Sequence, residues 1–184
     1  MEFNPIQTNA MPLKDKVLNI IWSIVNNTLF RFTPPYFRVF KIYRVCLVKC
    51  FGAKVAWDCY LHPKTKIEYP WNLTMEHLAS LGENSWIYAM ASIYIGKKCC
   101  IGKDVHLLTG THNISASTFD LVTKPIVIGD CSWIATRSMV LPGIKIGKYN
   151  VVAANSVVTK STDDQTVVGG NPARFIKRRE LRNE

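Results

Sequence analysis

The sequence predicts an all-β fold: a parallel β-helix of six-residue repeats, with helices at its N-terminal end and a short helix at its C-terminal end. Three observations predict it. From residue 128 the chain reads IGDCSW-IATRSM-VLPGIK-IGKYNV-VAANSV-VT, with an aliphatic residue at every sixth position: Ile128, Ile134, Val140, Ile146, Val152 and Val158. Ile, Leu and Val account for 46 of 184 residues, so six hits in one phase are roughly a one-in-four-thousand coincidence. The next residue is often small, as at Gly129, Ala135, Gly147 and Ala153. The same rhythm recurs upstream at Leu81, Ile87 and Ile93 and, after a slip of two residues, at Ile95, Ile101 and Leu107. A looser version starts near Val55 and runs through Ile67 to Met75.

A period of six is neither the 3.6 of a helix nor the 2 of a strand. It fits a coil of short strands that turns a corner after each one, with the aliphatic side chain inside the shaft and a small residue easing the turn. Stacked coils bury one continuous apolar ladder and bond to each other as parallel strands. With three hexads to a coil, residues eighteen apart stack: Ile128 over Ile146, Ile134 over Val152, Val140 over Val158. A β-sandwich would show a period of two and longer, irregular turns.

The N-terminal elements read as helices. Leu13, Val17, Ile20, Ile21, Ile24 and Val25 are spaced as on one within residues 13–30, TPP at 33–35 breaks the chain, and YFRVFKIYRVCLVKC (36–50) is helical again, with Gly52 as its stop. The open end of a β-helix needs cover, so these helices are expected to cap the shaft. Their basic, aromatic surface also suits contact with an anionic membrane. At the other end NPARFIKRRELRN follows VVGG and reads as a basic helix. The expected organisation is a helical cap over residues 1–54, a β-helix over 55–164 with a protruding loop at 113–125, and a C-terminal turn and basic helix over 165–184.

Composition narrows the class. Apolar residues make up 48% of the chain, as in a globular protein. VLNIIWSIVNNTLF is interrupted by polar residues and is too short for a membrane span, and the N-terminus lacks the basic-then-apolar order of an export signal. The six cysteines form no CxxC pair, so reduced thiols in the cytoplasm are expected, at the inner membrane face if the cap touches it. The net charge of +10 is concentrated at the ends: residues 1–54 hold eight Lys/Arg against two acids, residues 55–164 ten against nine. Basic ends suit anionic lipid or a phosphorylated ligand; nucleic acid is not expected as a partner.

The ladder breaks once. Leu107 and Ile128 are 21 positions apart rather than eighteen, and NISASTFDLVTKP (113–125) is expected to project as a loop with His112 at its root. An excursion from a rigid scaffold is where a site is built. No metal is expected: His106 and His112, six apart, are read as equivalent positions on adjacent faces, and His62 and His77 lie coils away.

These repeats, together with LTGTHN, CSWIATRSMVLPGIKIG, VVAANSVVTK and VVGGNPARFIK, resemble the hexapeptide-repeat acyltransferases. KIEYPWNLTM, FRFTPPYFRV and FDLVTKPIVIGDCSWI resemble most closely their colanic acid biosynthesis acetyltransferase group. The resemblance implies a left-handed helix and a homotrimer with its sites between shafts. It implies an O-acetyltransferase that uses acetyl-coenzyme A as co-substrate and a saccharide as acceptor, in an exopolysaccharide or its lipid-linked precursor. His112 is then the general base that takes the proton of a sugar hydroxyl as it attacks the thioester, with direct transfer. Trp133, Thr136, Ala154, Thr159, Lys160, Arg174 and Lys177 would hold the coenzyme; Asn113, Phe119 and Asp120 would face the acceptor. Asn113 stands where many sugar-directed relatives have Asp, and Ala135 and Ala153 replace glycines. Two alternatives stay open: an acetyltransferase of a small molecule (an antibiotic, a free sugar or serine), and a β-helix scaffold without catalysis.

Overall fold

A computed structural model describes residues 12–181. Residues 1–11, the start of the expected cap, and 182–184, the end of the C-terminal segment, lie outside the described residues. Three parallel sheets wrap a triangular shaft. Face A holds Lys54–Val55, Leu73–Met75, Ile93–Ile95, Ile126–Ile128 and Lys145–Ile146. Face B holds Tyr60–Leu61, Ser80–Leu81, Cys100–Ile101, Trp133–Ile134 and Val151–Val152, and face C holds Lys66–Glu68, Trp86–Tyr88, His106–Leu108, Met139–Val140 and Val157–Val158. The predicted stacking is present: Ile128 pairs with Ile146, Ile134 with Val152 and Val140 with Val158, all buried. Each such side chain contributes roughly 1.5–3 kcal/mol by leaving water.

The first half departs from eighteen-residue coils. Val55 stacks on Met75 and Met75 on Ile95, twenty residues apart each time. Steps along the inward ladder from face A to B and from B to C are six residues in every coil. From C to A they are eight (Ile67 to Met75), eight (Ile87 to Ile95), twenty-one (Leu107 to Ile128) and six (Val140 to Ile146). All length variation therefore falls on one edge of the prism, and the slip of two in the sequence is an enlarged corner that buries both Ile93 and Ile95.

The turning residue is not the small one after the aliphatic position. It is the third residue after it. Asn84, Lys98, Asp104, Cys131, Arg137, Tyr149 and Asn155 all have φ between 55 and 60°. Such a left-handed residue costs roughly 1–2 kcal/mol outside glycine. Hydrogen bonds between coils offset that cost, since the N–H of Arg137 donates to Lys103 O (2.9 Å), that of Tyr149 to Asp130 O (2.8 Å) and that of Asn155 to Thr136 O (3.0 Å). The glycines serve stacking instead. A Cβ on Gly129 would lie 2.7 Å from the carbonyl carbon of Gly147 in the next coil. Gly129→Ala is expected to destabilise by about 1–3 kcal/mol, read as a lower Tm; an unchanged Tm would show that the coils separate freely.

Helices α1 (Leu13–Val25) and α2 (Arg38–Cys50), joined through a π-helical turn at Asn26–Phe30, close the first coil. They do so with side chains that complete the open strand edge. Trp22 Nε1 donates to Ile67 O (2.7 Å), Asn26 Nδ2 to Thr65 O (3.3 Å), and the N–H of Tyr69 donates to Asn19 Oδ1 (3.1 Å). Among the described residues no helix is long and apolar enough to cross a membrane.

Among the described residues the expected C-terminal helix is not formed. Thr166–Gly170 continues face B, and Ala173–Arg178 folds back on it as an antiparallel strand. The last coil leaves an unpaired edge, and the chain satisfies it by pairing with itself; local helix propensity gives way to those non-local bonds.

Candidate active site

The excursion at the ladder break is an arm rather than a loose loop. Gly110–His112 pairs antiparallel with Leu121–Thr123, so 121–123, expected as loop, is strand, and residues 113–120 form the tip. Thr109, buried at the root, donates from Oγ1 to Tyr88 O (2.7 Å) and accepts from Ala91 N (3.0 Å). Gly110 lets the strand pass close by, since a Cβ there would lie 2.9 Å from the Tyr88 ring and 3.0 Å from Met90 Sδ. The arm thus leaves the C-to-A edge of the third coil on a fixed base.

His112 ends the outgoing strand, half-buried. Its Nδ1 lies 2.9 Å from the carbonyl oxygen of Phe119, and the two rings are stacked, 4.4 Å between centroids and 6° from parallel. A carbonyl only accepts, so Nδ1 carries a proton, and in the neutral imidazole the lone pair is then on Nε2. That carbonyl is aimed by a left-handed backbone at Phe119 (φ 51°). Phe119, expected to face the acceptor, is in contact with the imidazole. Asn113 Oδ1 accepts from Ser115 N (3.1 Å) and its N–H donates to Asp120 O (2.8 Å), while Asp120 Oδ2 accepts from Thr118 Oγ1 (2.7 Å). Asn113 and Asp120 therefore shape the tip that holds Phe119 in place.

The remaining expected residues fall in three places. Thr136 and Ala154 stack on the B-to-C edge, exposed, eighteen residues apart. Trp133 points outward from face B, half-exposed. Lys160 and Arg174 line one cavity of about 280 Å³, floored by Val158, Val168 and Ala173, with Thr159 exposed beside Lys160. Lys177 is not with them: it lines a different hollow with Val167 and Arg179. His106 and His112 are not equivalent corners, since His112 stands on the arm while His106 packs edge-on against Trp86, 5.4 Å between centroids. Among the described residues no three His, Cys, Asp or Glu side chains form a cluster that could hold a metal.

The sequence reading missed an aromatic lattice on and beside face C at the foot of the arm. Tyr69, Trp86 and Tyr88 lie with neighbouring centroids 5.5–6.3 Å apart. Trp86 donates to Glu68 Oε1 (2.8 Å), and Lys66 Nζ lies 4.6 Å over its ring. Its signal was present as outward aromatics beside the inward aliphatics Ile67 and Ile87.

Comparison with known proteins agrees with this architecture. The family of bacterial transferase hexapeptide repeats (six repeats) matches residues 125–160. WcaF of Escherichia coli (strain K12), named as a colanic acid biosynthesis acetyltransferase, is 37% identical over 159 residues, covering 86% of this chain and 86% of its own. Two solved structures share the fold. One is a hexapeptide-repeat acetyltransferase of Vibrio cholerae O1 biovar eltor complexed with acetyl coenzyme A (TM-score 0.82, 24% identity, 94% and 93% covered). The other is a maltose O-acetyltransferase of Clostridium difficile 630 (TM-score 0.80, 24% identity, 92% and 90% covered). With that identity to WcaF across most of both chains, and the repeat itself matched, this chain belongs to the hexapeptide-repeat acetyltransferases.

Proposed function

We propose that the chain moves the acetyl group of acetyl-coenzyme A directly to a sugar hydroxyl of an exopolysaccharide or its lipid-linked precursor, in the cytoplasm, with His112 as general base. The observation that carries this reading is the bond from His112 Nδ1 to Phe119 O, which leaves Nε2 as a proton acceptor at the rim of the shaft. In the reaction Nε2 takes the hydroxyl proton as the oxygen attacks the thioester carbonyl. The C–S bond then breaks, and the imidazolium returns the proton to the leaving thiolate. Lys160 and Arg174, at one cavity, suit the coenzyme phosphates. Thr136 and Ala154 offer a narrow corner for the pantetheine arm, with Trp133, Thr159 and Lys177 flanking. Asn113 and Asp120 border the acceptor, and Phe119 acts as a positioning residue. The name of WcaF supports the polysaccharide acceptor, and the acetyl coenzyme A bound to the Vibrio cholerae protein supports the donor.

The same geometry supports a homotrimer with shared sites. His112 stands on the C-to-A edge of the prism, and Thr136 and Ala154 on the B-to-C edge. A hexad of extended chain separates the two edges by as much as ~20 Å, beyond the reach of an imidazole. Base and donor then meet only where the edge of one copy faces that of the next. The test is subunit mixing: His112→Ala and Ala154→Trp chains, each inactive alone, are co-assembled and assayed for thiol release with a saccharide panel. About a quarter of the sites in a random mixture combine both intact halves, and activity recovers to that level. A mixture as inactive as its parents overturns the shared site, and a wild-type chain inactive on every saccharide overturns the acceptor class.

A further inference from the structure

We propose that the outward surface of the N-terminal cap docks on an anionic lipid bilayer. The apolar residues of α1 divide into two sets. Trp22 and Phe30, just beyond its end, are buried against the shaft. Leu13, Val17, Ile20, Ile21 and Ile24 repeat at helical spacing on the other side and are exposed, Ile20 by 63% and Ile24 by 62%. The turn between the helices adds three exposed aromatic rings within six residues: Phe32 at 82%, Tyr36 at 91% and Phe37 at 64%. Isolated exposed apolar residues are ordinary; a contiguous set of this kind marks a contact surface.

The turn is also held rigid. Buried Arg44 donates from Nη1 to Thr33 Oγ1 (2.9 Å) and Pro34 O (3.1 Å), and from Nη2 to Pro35 O (3.3 Å). Thr33 Oγ1 in turn donates to Phe30 O (2.7 Å). The aromatic tip is thus presented in one shape before anything binds, which lowers the ordering cost of docking.

Charge selects the occupant. Residues 13–50 carry seven Lys/Arg against the single acid Asp15, and exposed Arg31 and Arg38 flank the tip. Between α2 and the first coil lies a hollow of about 510 Å³ lined by Arg38, Lys41, Ile42, Trp57 and Asp58, with Lys49 Nζ 5.0 Å over the Trp57 ring. It offers two cations and an indole to a headgroup phosphate, while the Asp58 carboxylate is engaged by Leu78 N (3.2 Å) and lies 3.1 Å from His77 Nδ1. A second copy docking cap to cap would set Arg31, Arg38 and Lys41 against their own like. The shaft, with ten cations against nine acids over 55–164, offers no opposing field. A bilayer with anionic headgroups accepts both features at once: aromatic rings at headgroup depth and Lys/Arg at its negative surface. The inference does not depend on the acyl-transfer reading.

The test is co-sedimentation of the full chain with vesicles of phosphatidylcholine alone or mixed with phosphatidylglycerol. The wild-type chain is expected to bind the mixed vesicles, weakening as salt is raised, and to leave phosphatidylcholine vesicles largely free. Reversing three charges (Arg31→Glu, Arg38→Glu, Lys41→Glu) is expected to weaken binding roughly a hundredfold, and the triple change Phe32→Ser, Tyr36→Ser, Phe37→Ser roughly tenfold. Both variants alter partly or fully exposed side chains and keep the wild-type Tm, so loss of binding is separable from loss of fold. A tip already covered by residues 1–11 or by another copy gives no binding by the wild-type chain, which overturns the proposal. Equal binding to both kinds of vesicle, or variants that bind like the wild type, overturns it as well.

Discussion

Replacing His112 with alanine is expected to lower kcat by roughly 10²–10⁴-fold, the range supplied by a positioned general base, with KM for acetyl-coenzyme A little changed. The expectation rests on where the side chain sits. It stands on the arm, outside the buried apolar cluster, so the variant keeps its fold and its Tm. The Phe119 carbonyl fixes the proton on Nδ1 and the Phe119 ring fixes the plane of the imidazole, so the basic nitrogen is pre-set and alanine offers no substitute. Phe119→Gly separates the two roles. It removes the stacked ring while leaving the imidazole in place, and is expected to cost less than His112→Ala and to fall on kcat rather than on KM. Steady-state release of thiol, with and without acceptor, checks both. Turnover by His112→Ala equal to wild type on every active acceptor would remove the imidazole from the chemistry.

Arg44→Met is expected to destabilise the fold by about 3 kcal/mol, because it strands buried carbonyls that methionine cannot serve. Arg44 has no exposed surface, and burial pushes its pKa down, but a guanidinium keeps its charge inside proteins. Four of its five N–H groups are spent on the shaft and the turn together: Nε donates to Leu61 O (2.7 Å) on the first coil, and the two terminal nitrogens to Thr33, Pro34 and Pro35. One side chain thus ties the cap to the β-helix. At roughly 2–4 °C per kcal/mol for a chain of this size, thermal denaturation should show Tm lower by about 6–12 °C. Arg44→Lys is expected to recover little of it, since an ammonium cannot reproduce the planar fork. A Tm unchanged in both variants would mean that the cap is held without Arg44, by its apolar contacts and the hydrogen bonds of Asn19, Trp22 and Asn26.

The ladder from Ile128 to Val158 was legible because every coil there has three equal sides. The half before it was legible only in pieces: two extra residues at one corner shift the phase, and a window that seeks a fixed period sees Ile93 and Ile95 as rivals when both point inward. The corner residues were invisible to composition. Cys131, Arg137, Tyr149 and Asn155 share a backbone conformation and no chemistry. The break that carries His112 could be read from spacing, but its partner could not, since the Phe119 carbonyl reaches it only through a left-handed backbone seven residues on. Arg44 looked like one more cation among aromatics, and its burial belongs to the tertiary fold. The returning strand at Ala173–Arg178 was read as a helix because its pairing with Thr166–Gly170 leaves no local periodicity.

The uneven edge of the prism gives the scaffold a seam of tolerance. Corners of six, eight, eight and twenty-one residues coexist there without disturbing the inward ladder on either side. The arm is therefore an overgrown corner, and the enlarged corners of the first two coils are sites where foreign segments could be grafted while the shaft keeps its shape. Acceptor preference in such an enzyme can then diverge by lengthening or trimming one seam, with the rest of the molecule held constant.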